Sequence, residues 1–181
     1  MYRVVGLAMP RWDLGTVGYV VGSPSDIDKA FTELYLRCYP TTNDMTREMS
    51  GKISCIIASI RRGLPVSSAV FLLDPYGIAN EVGTRYGIKR DIILNWVYSW
   101  FINYLRSDGF IADTDVVFLD QELSALSQVI KASIGGSASA IAGIMATIIM
   151  VKRINTGELP IRVIDVRDRA FKHVEDLVTN R

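Results

Sequence analysis

The sequence predicts one α/β domain over residues 1–181: a mixed, largely parallel sheet, opened by an antiparallel β-hairpin and covered by helices on both faces. Three observations predict it. Apolar strand-like runs alternate with amphipathic helical stripes. Two of the runs, at 69–73 and 116–119, are apolar throughout, as strands buried on both faces are. No Pro/Ser/Gly-rich linker and no step in composition divides the 181 residues.

Taken in order, residues 3–9 are apolar and β-branched, 10–15 read as a turn, and 16–21 (TVGYVV) form the return strand of a hairpin. Ser23, Pro24 and Asp26 form a helix start, with Ser23 as N-cap and proline at the first helical position. Ile27, Ala30, Phe31, Leu34 and Cys38 continue it at helical spacing. Leu34, Leu36 and Cys38 also alternate with polar neighbours, so residues 24–39 read as helix or as strand. Residues 40–43 break the chain. Met45, Met49, Ile53, Ile56, Ile57 and Ile60 predict an amphipathic helix over 44–62, which Gly63 and Pro65 end. The strand at 69–73 closes with a turn, Asp74-Pro75-Tyr76-Gly77. Gly83 and Gly87, with Gly77 just before them, make residues 78–89 an irregular loop or flap. Ile93, Trp96, Val97, Trp100, Phe101, Tyr104 and Leu105 predict the next helix. After the strand at 116–119, one long helix is expected over 123–153, stopped by Asn155-Thr156-Gly157. A strand at 161–166 and a terminal helix ending near Asn180 complete the chain.

Composition narrows the function. The chain is 49% hydrophobic and 22% charged, with 20 basic and 19 acidic residues. That balance excludes disorder and a histone-like binder. Cys38 and Cys55 are too few for a disulfide framework or a multi-cysteine zinc module. They read as buried reduced thiols, which with no signal peptide in evidence predicts a cytoplasmic protein. His173 stands alone, so a His-based triad or metal site is not expected; it reads as a surface residue. Abundant isoleucine, scarce glutamine and arginine in excess of lysine lean toward a thermophile. The mean hydropathy of +0.22 raises a membrane question, focused on the uncharged stretch 132–151. Its length would cross a bilayer. Four hydroxyl residues within it, no aromatic belt and basic residues at both ends favour a helix buried in the domain instead.

Any chemistry must then rest on carboxylates. In open α/β sheets ligands bind beyond the carboxyl ends of the strands, where Asp74, Asp120 and Glu122 fall, with Asp165 or Asp168 beside them. Converging carboxylates repel unless cations neutralise them, which points to Mg²⁺ or Mn²⁺ held by Asp74, Asp120 and Glu122. Two such ions about 4 Å apart would support phosphodiester hydrolysis, with Asp165 as a further catalytic acid. The same acids would equally serve as caps for the helices that follow. No P-loop and no G-x-G-x-x-G is present. Gly135-Gly136 would let another backbone approach the long helix. Arg167, Arg169 and Lys172 form the best candidate patch for nucleic acid. Trp96, Trp100 and Tyr104 belong to the core or to an interface between copies in a homo-oligomer.

The pattern resembles the ribonuclease H-like superfamily, in particular RuvC-type Holliday-junction resolvases. Gly6-Leu7-Ala8-Met9 and Gly15-Thr16-Val17-Gly18-Tyr19-Val20-Val21 match its opening strand, glycine-rich turn and second strand containing Thr-Gly-Tyr. Residues 34–38 would be its third antiparallel strand, the helix from 44 its first helix, and 69–74 its buried strand ending in an acid. Residues 132–172 resemble its small-residue helix, strand and basic stretch. The family's first-strand aspartate should lie near Ala8, where this chain has no acid; Asp13 sits in the turn instead, and the last helix offers only Glu175 and Asp176. The resemblance implies a nuclease, or a nucleic-acid binder whose activity is lost or rearranged. The other readings are a non-catalytic α/β module for self-association or protein binding, and a protein spanning a membrane at 132–151.

Overall fold

In the computed structural model residues 2–11, 14–38, 45–152 and 159–180 are described, with the backbone alone for 45–51 and 152. Its elements are β1 (Val4–Ala8), β2 (Thr16–Gly22), α1 (Pro24–Cys38), α2 (Met45–Arg62), β3 (Ser67–Leu72), α3 (Pro75–Tyr86), α4 (Arg90–Ser107), β4 (Val116–Leu119), a 3₁₀ helix (Gln121–Gln128), β5 (Ala132–Ile134), α5 (Ser137–Lys152), β6 (Arg162–Asp165) and α6 (Arg167–Thr179). Asp13, the break at 40–43, the helix start at Asp44 and the stop at 155–157 lie outside the described residues.

The six strands form one mixed α/β sheet in the order β5-β4-β1-β2-β3-β6. β2 pairs antiparallel with β1 and β3, whereas β1–β4, β4–β5 and β3–β6 are parallel. Every strand but β2 therefore runs the same way, and five carboxyl ends share one edge. Side-chain alternation splits the core between the two faces. Val5, Leu7, Val17, Tyr19 and Phe71 pack with α3, α4, α6 and the 3₁₀ helix. Val4, Ala8, Val20 and Val70 pack with α1, α2 and α5. On the second face α5 lies across β1 and β2. Gly6 and Gly18 permit that approach: a Cβ on either would overlap the backbone of Ala138 or Ala142.

Four expectations change. Residues 24–38 are helical: Ser23 Oγ accepts the Asp26 N–H at 3.1 Å, Ile27, Ala30, Leu34 and Cys38 are buried, and Leu36, which the strand reading would half-bury, is 81% exposed. The opening is still three-stranded and antiparallel, because β3 takes the place assigned to residues 34–38. Residues 78–89 are not a flap. Most of them continue α3, which Gly87 closes with φ 66°, a left-handed conformation that favours glycine.

The long helix over 123–153 is broken into a 3₁₀ helix, β5 and α5. Gly135 and Gly136, with φ of 94° and 93°, turn the chain between β5 and α5 rather than admitting a neighbouring backbone. No helix among the described residues is long and apolar enough to cross a membrane. Finally, Cys38 and Cys55 are not free thiols. They form a disulfide between α1 and α2 with Cα atoms 5.5 Å apart, so the thiol argument for a reducing cytoplasm no longer holds.

Candidate functional site at the carboxyl edge of the sheet

Asp120 follows the last residue of β4, where β1 and β4 run side by side with Leu7 opposite Leu119. Its backbone N–H donates to the Leu7 carbonyl, which holds the carboxylate over the end of β1. One carboxylate oxygen accepts the Met9 N–H at 2.8 Å, the other the Leu123 N–H at 3.1 Å. The second bond is an N-cap for the 3₁₀ helix. Burial pushes the Asp120 carboxyl up to about 6; the two backbone donors oppose that shift and the charge of Glu122 adds to it. Glu122, in the first turn of the 3₁₀ helix, pairs with Arg11 at 2.9 Å.

Asp74 and Asp165 occupy another part of the same edge. Asp74 caps α3, accepting the Gly77 N–H at 3.2 Å from a left-handed conformation of φ 52° that aspartate tolerates better than most residues. A Cβ on Gly77 would strike this carboxylate. Asp165 ends β6 opposite Leu72 of β3 and pairs with Arg167 at 2.6 Å. Arg167 lies within electrostatic reach of Asp74 and Asp168 as well. A hydrogen bond from Arg167 holds the Asp165 carboxyl below its ordinary value, against a smaller opposing effect of burial.

The four acids thus share an edge without forming one group. β4 and β3 are separated by β1 and β2, so Asp120 and Asp74 stand about 14 Å apart at ordinary strand spacing. Among the described residues no three His, Cys, Asp or Glu side chains are grouped to hold a metal ion. Arg11 and Arg167 already supply cations to Glu122 and Asp165. The residues present do not fit a two-metal centre built from Asp74, Asp120 and Glu122.

The basic patch divides likewise. Arg167 faces the acids. Arg169 lies over the Tyr104 ring at 4.9 Å and, with Lys172, His173, Trp100 and Asp176, lines a groove between α4 and α6. Trp100 and Tyr104 stack at 5.5 Å and are half-buried against the core. His173 is exposed.

Sequence reasoning missed the aromatic side of the edge. Tyr76, in the first turn of α3, carries the Arg90 guanidinium 4.8 Å above its ring. Tyr98 of α4 is 6% exposed, and its hydroxyl lies within electrostatic reach of Tyr76, Glu122 and Asp120. The Tyr76 hydroxyl is the polar group that engages it. The signal was present: a tyrosine among the apolar residues of a helix stripe brings a hydroxyl that must find a partner. The chain matches no protein-family model, no curated protein and no solved structure.

Proposed function

We propose that this is a ribonuclease H-like protein that binds nucleic acid across the carboxyl edge of its sheet, with an incomplete hydrolytic centre. The observation that carries the reading is the course of the sheet. An antiparallel β1–β2–β3 opening is followed by β4, parallel to β1, whose terminal acid Asp120 sits at the end of the first strand. The departure lies there too. Ala8, where the resemblance calls for an aspartate, is buried, and Asp120 binds a backbone N–H instead of sharing a metal with a first-strand acid. Mg²⁺ or Mn²⁺ belongs to this reading only as a single ion at Asp120 and Glu122, and no hydrolytic step is assigned to it. Arg169 and Lys172 extend the surface for phosphates. The reading keeps a cytoplasmic, thermophilic setting, since intracellular proteins of hyperthermophiles carry disulfides.

Fluorescence anisotropy with short labelled single- and double-stranded DNA and RNA tests it. Binding that weakens steeply with salt is expected, with the oligonucleotide left intact in Mg²⁺ or Mn²⁺. Absence of binding to all four would overturn the reading; metal-dependent cleavage lost in Asp120→Asn would overturn the incomplete centre. One observation favours a second reading, self-association: Val116, Val129 and Ile134 are 39%, 40% and 46% exposed around the short edge strand β5. Edge strands with apolar neighbours invite pairing between copies, which light scattering would detect as a dimer.

A further inference from the structure

The groove between α4 and α6 has a volume of about 490 Å³, within the range of small-molecule sites. Its two walls differ in chemistry. From α4 come two half-buried rings, Trp100 and Tyr104, one helical turn apart and inclined by only 14°. From α6 come two exposed cations, Arg169 and Lys172. Arg169 is held over Tyr104, 4.9 Å from the ring centroid. Among the described residues no cation lies over Trp100, and neither Arg169 nor Lys172 is paired with a carboxylate. Two acids stand near: Asp176 lines the groove and Asp108 reaches Tyr104. Both are exposed, where water and salt screen their charge. The exposed Asn103 adds an amide that both donates and accepts. Rings on one wall and unpaired cations on the other complement a planar ring that carries an anionic group. An aliphatic acid would leave the rings unused, and an uncharged ring would leave the cations unused.

We infer that this groove is a nucleotide site: one base stacks on Trp100, and its phosphate is met by Lys172 and Arg169. It rests on the nucleic-acid reading only for a single strand as the source of that nucleotide. Two probes separate the sources: adenosine 5′-monophosphate (AMP), and a labelled single-stranded oligonucleotide.

Calorimetry of the full chain is expected to show AMP binding, with saturable quenching of tryptophan fluorescence as the base stacks on the indole. Adenosine, which lacks the phosphate, should bind the wild type about tenfold more weakly, the loss of a charge-assisted contact. Lys172→Gln, at an exposed position, should stay folded and weaken AMP binding by a similar factor. Trp100→Leu keeps an apolar contact with the core and should also lose about tenfold, together with the quenching. If Trp100→Leu fails to fold, Lys172→Gln still decides. No AMP binding by the wild type, or equal binding by wild type and Lys172→Gln, would overturn the proposal. Inorganic phosphate bound as tightly as AMP would overturn it too, since the rings would then contribute nothing. AMP binding without oligonucleotide binding supports the groove and removes the nucleic-acid reading. Oligonucleotide binding equal in wild type and Lys172→Gln, with no AMP binding, overturns the groove and leaves that reading standing.

Discussion

Asp120 is held in the folded chain with a pKa near 6, against an ordinary value of 3.8. The folded state therefore binds this proton more tightly than the unfolded state. Stability from this group is greatest below about pH 4 and falls as pH rises to about 6, beyond which it is level. Urea unfolding of wild type and Asp120→Asn between pH 4 and 8 should show that slope in the wild type and a flatter profile in the variant. Parallel profiles would contradict the account. Asp115 has the opposite sign. Burial raises its pKa, but the Arg3 hydrogen bond at 2.7 Å and the Ala112 N–H outweigh that, and the net value is lowered. Its contribution is present above about pH 4 and is lost as pH falls further. The two acids, at opposite ends of β4, make the acid limb of the stability profile a balance of contrary effects.

The α1–α2 pair is an element held by covalent chemistry as well as packing. The Cys38–Cys55 bond closes a loop with a sequence separation of 17 and anchors the end of α1, where Cys38 is 1% exposed. Closing a loop of this size removes entropy from the unfolded chain worth about 3 kcal/mol. Reduction, or Cys55→Ser, should lower the unfolding free energy by about that amount in urea titrations with and without reductant. Coincident titrations would show that the bond does not form. Element by element, legibility followed local signals. Apolar runs marked the strands other than β5, which the sequence reading placed inside a helix, and the helical stripe beneath Trp96 and Trp100 marked α4. Ser23 began α1 as its residue type implies, but alternation around Leu36 obscured it. Gly77, Gly83 and Gly87 masked α3, although one accommodates the Asp74 cap and another supplies the left-handed terminus. The hydropathy of 132–151 hid the turn that Gly135 and Gly136 make. Cys38 and Cys55 carried no pairing signal, because nothing local shows that two helices will lie side by side.

At the scale of the whole molecule, one fact of topology decides what the acids can do. The sequence places Asp74, Asp120 and Asp165 at strand ends, and the shared direction of five strands puts those ends on one edge. Strand order is not a local property, however. It sets β1 and β2 between β4 and β3, so the carboxylates that a linear reading gathers into one metal cluster fall into two pairs, each with its own arginine. The fold class and the edge were thus legible; the separation of the acids and the pairing of Tyr76 with Tyr98 near Asp120 were not. The proposed function requires that ligand engage the β1–β4 part of this edge. Hydrogen–deuterium exchange with and without a short single-stranded oligonucleotide tests it most directly. Slowed exchange is expected at Met9, at Tyr76–Ile78 and at the start of the 3₁₀ helix around Leu123. Unchanged exchange there, or protection confined to the opposite edge around Ala112 and Asp115, would contradict it.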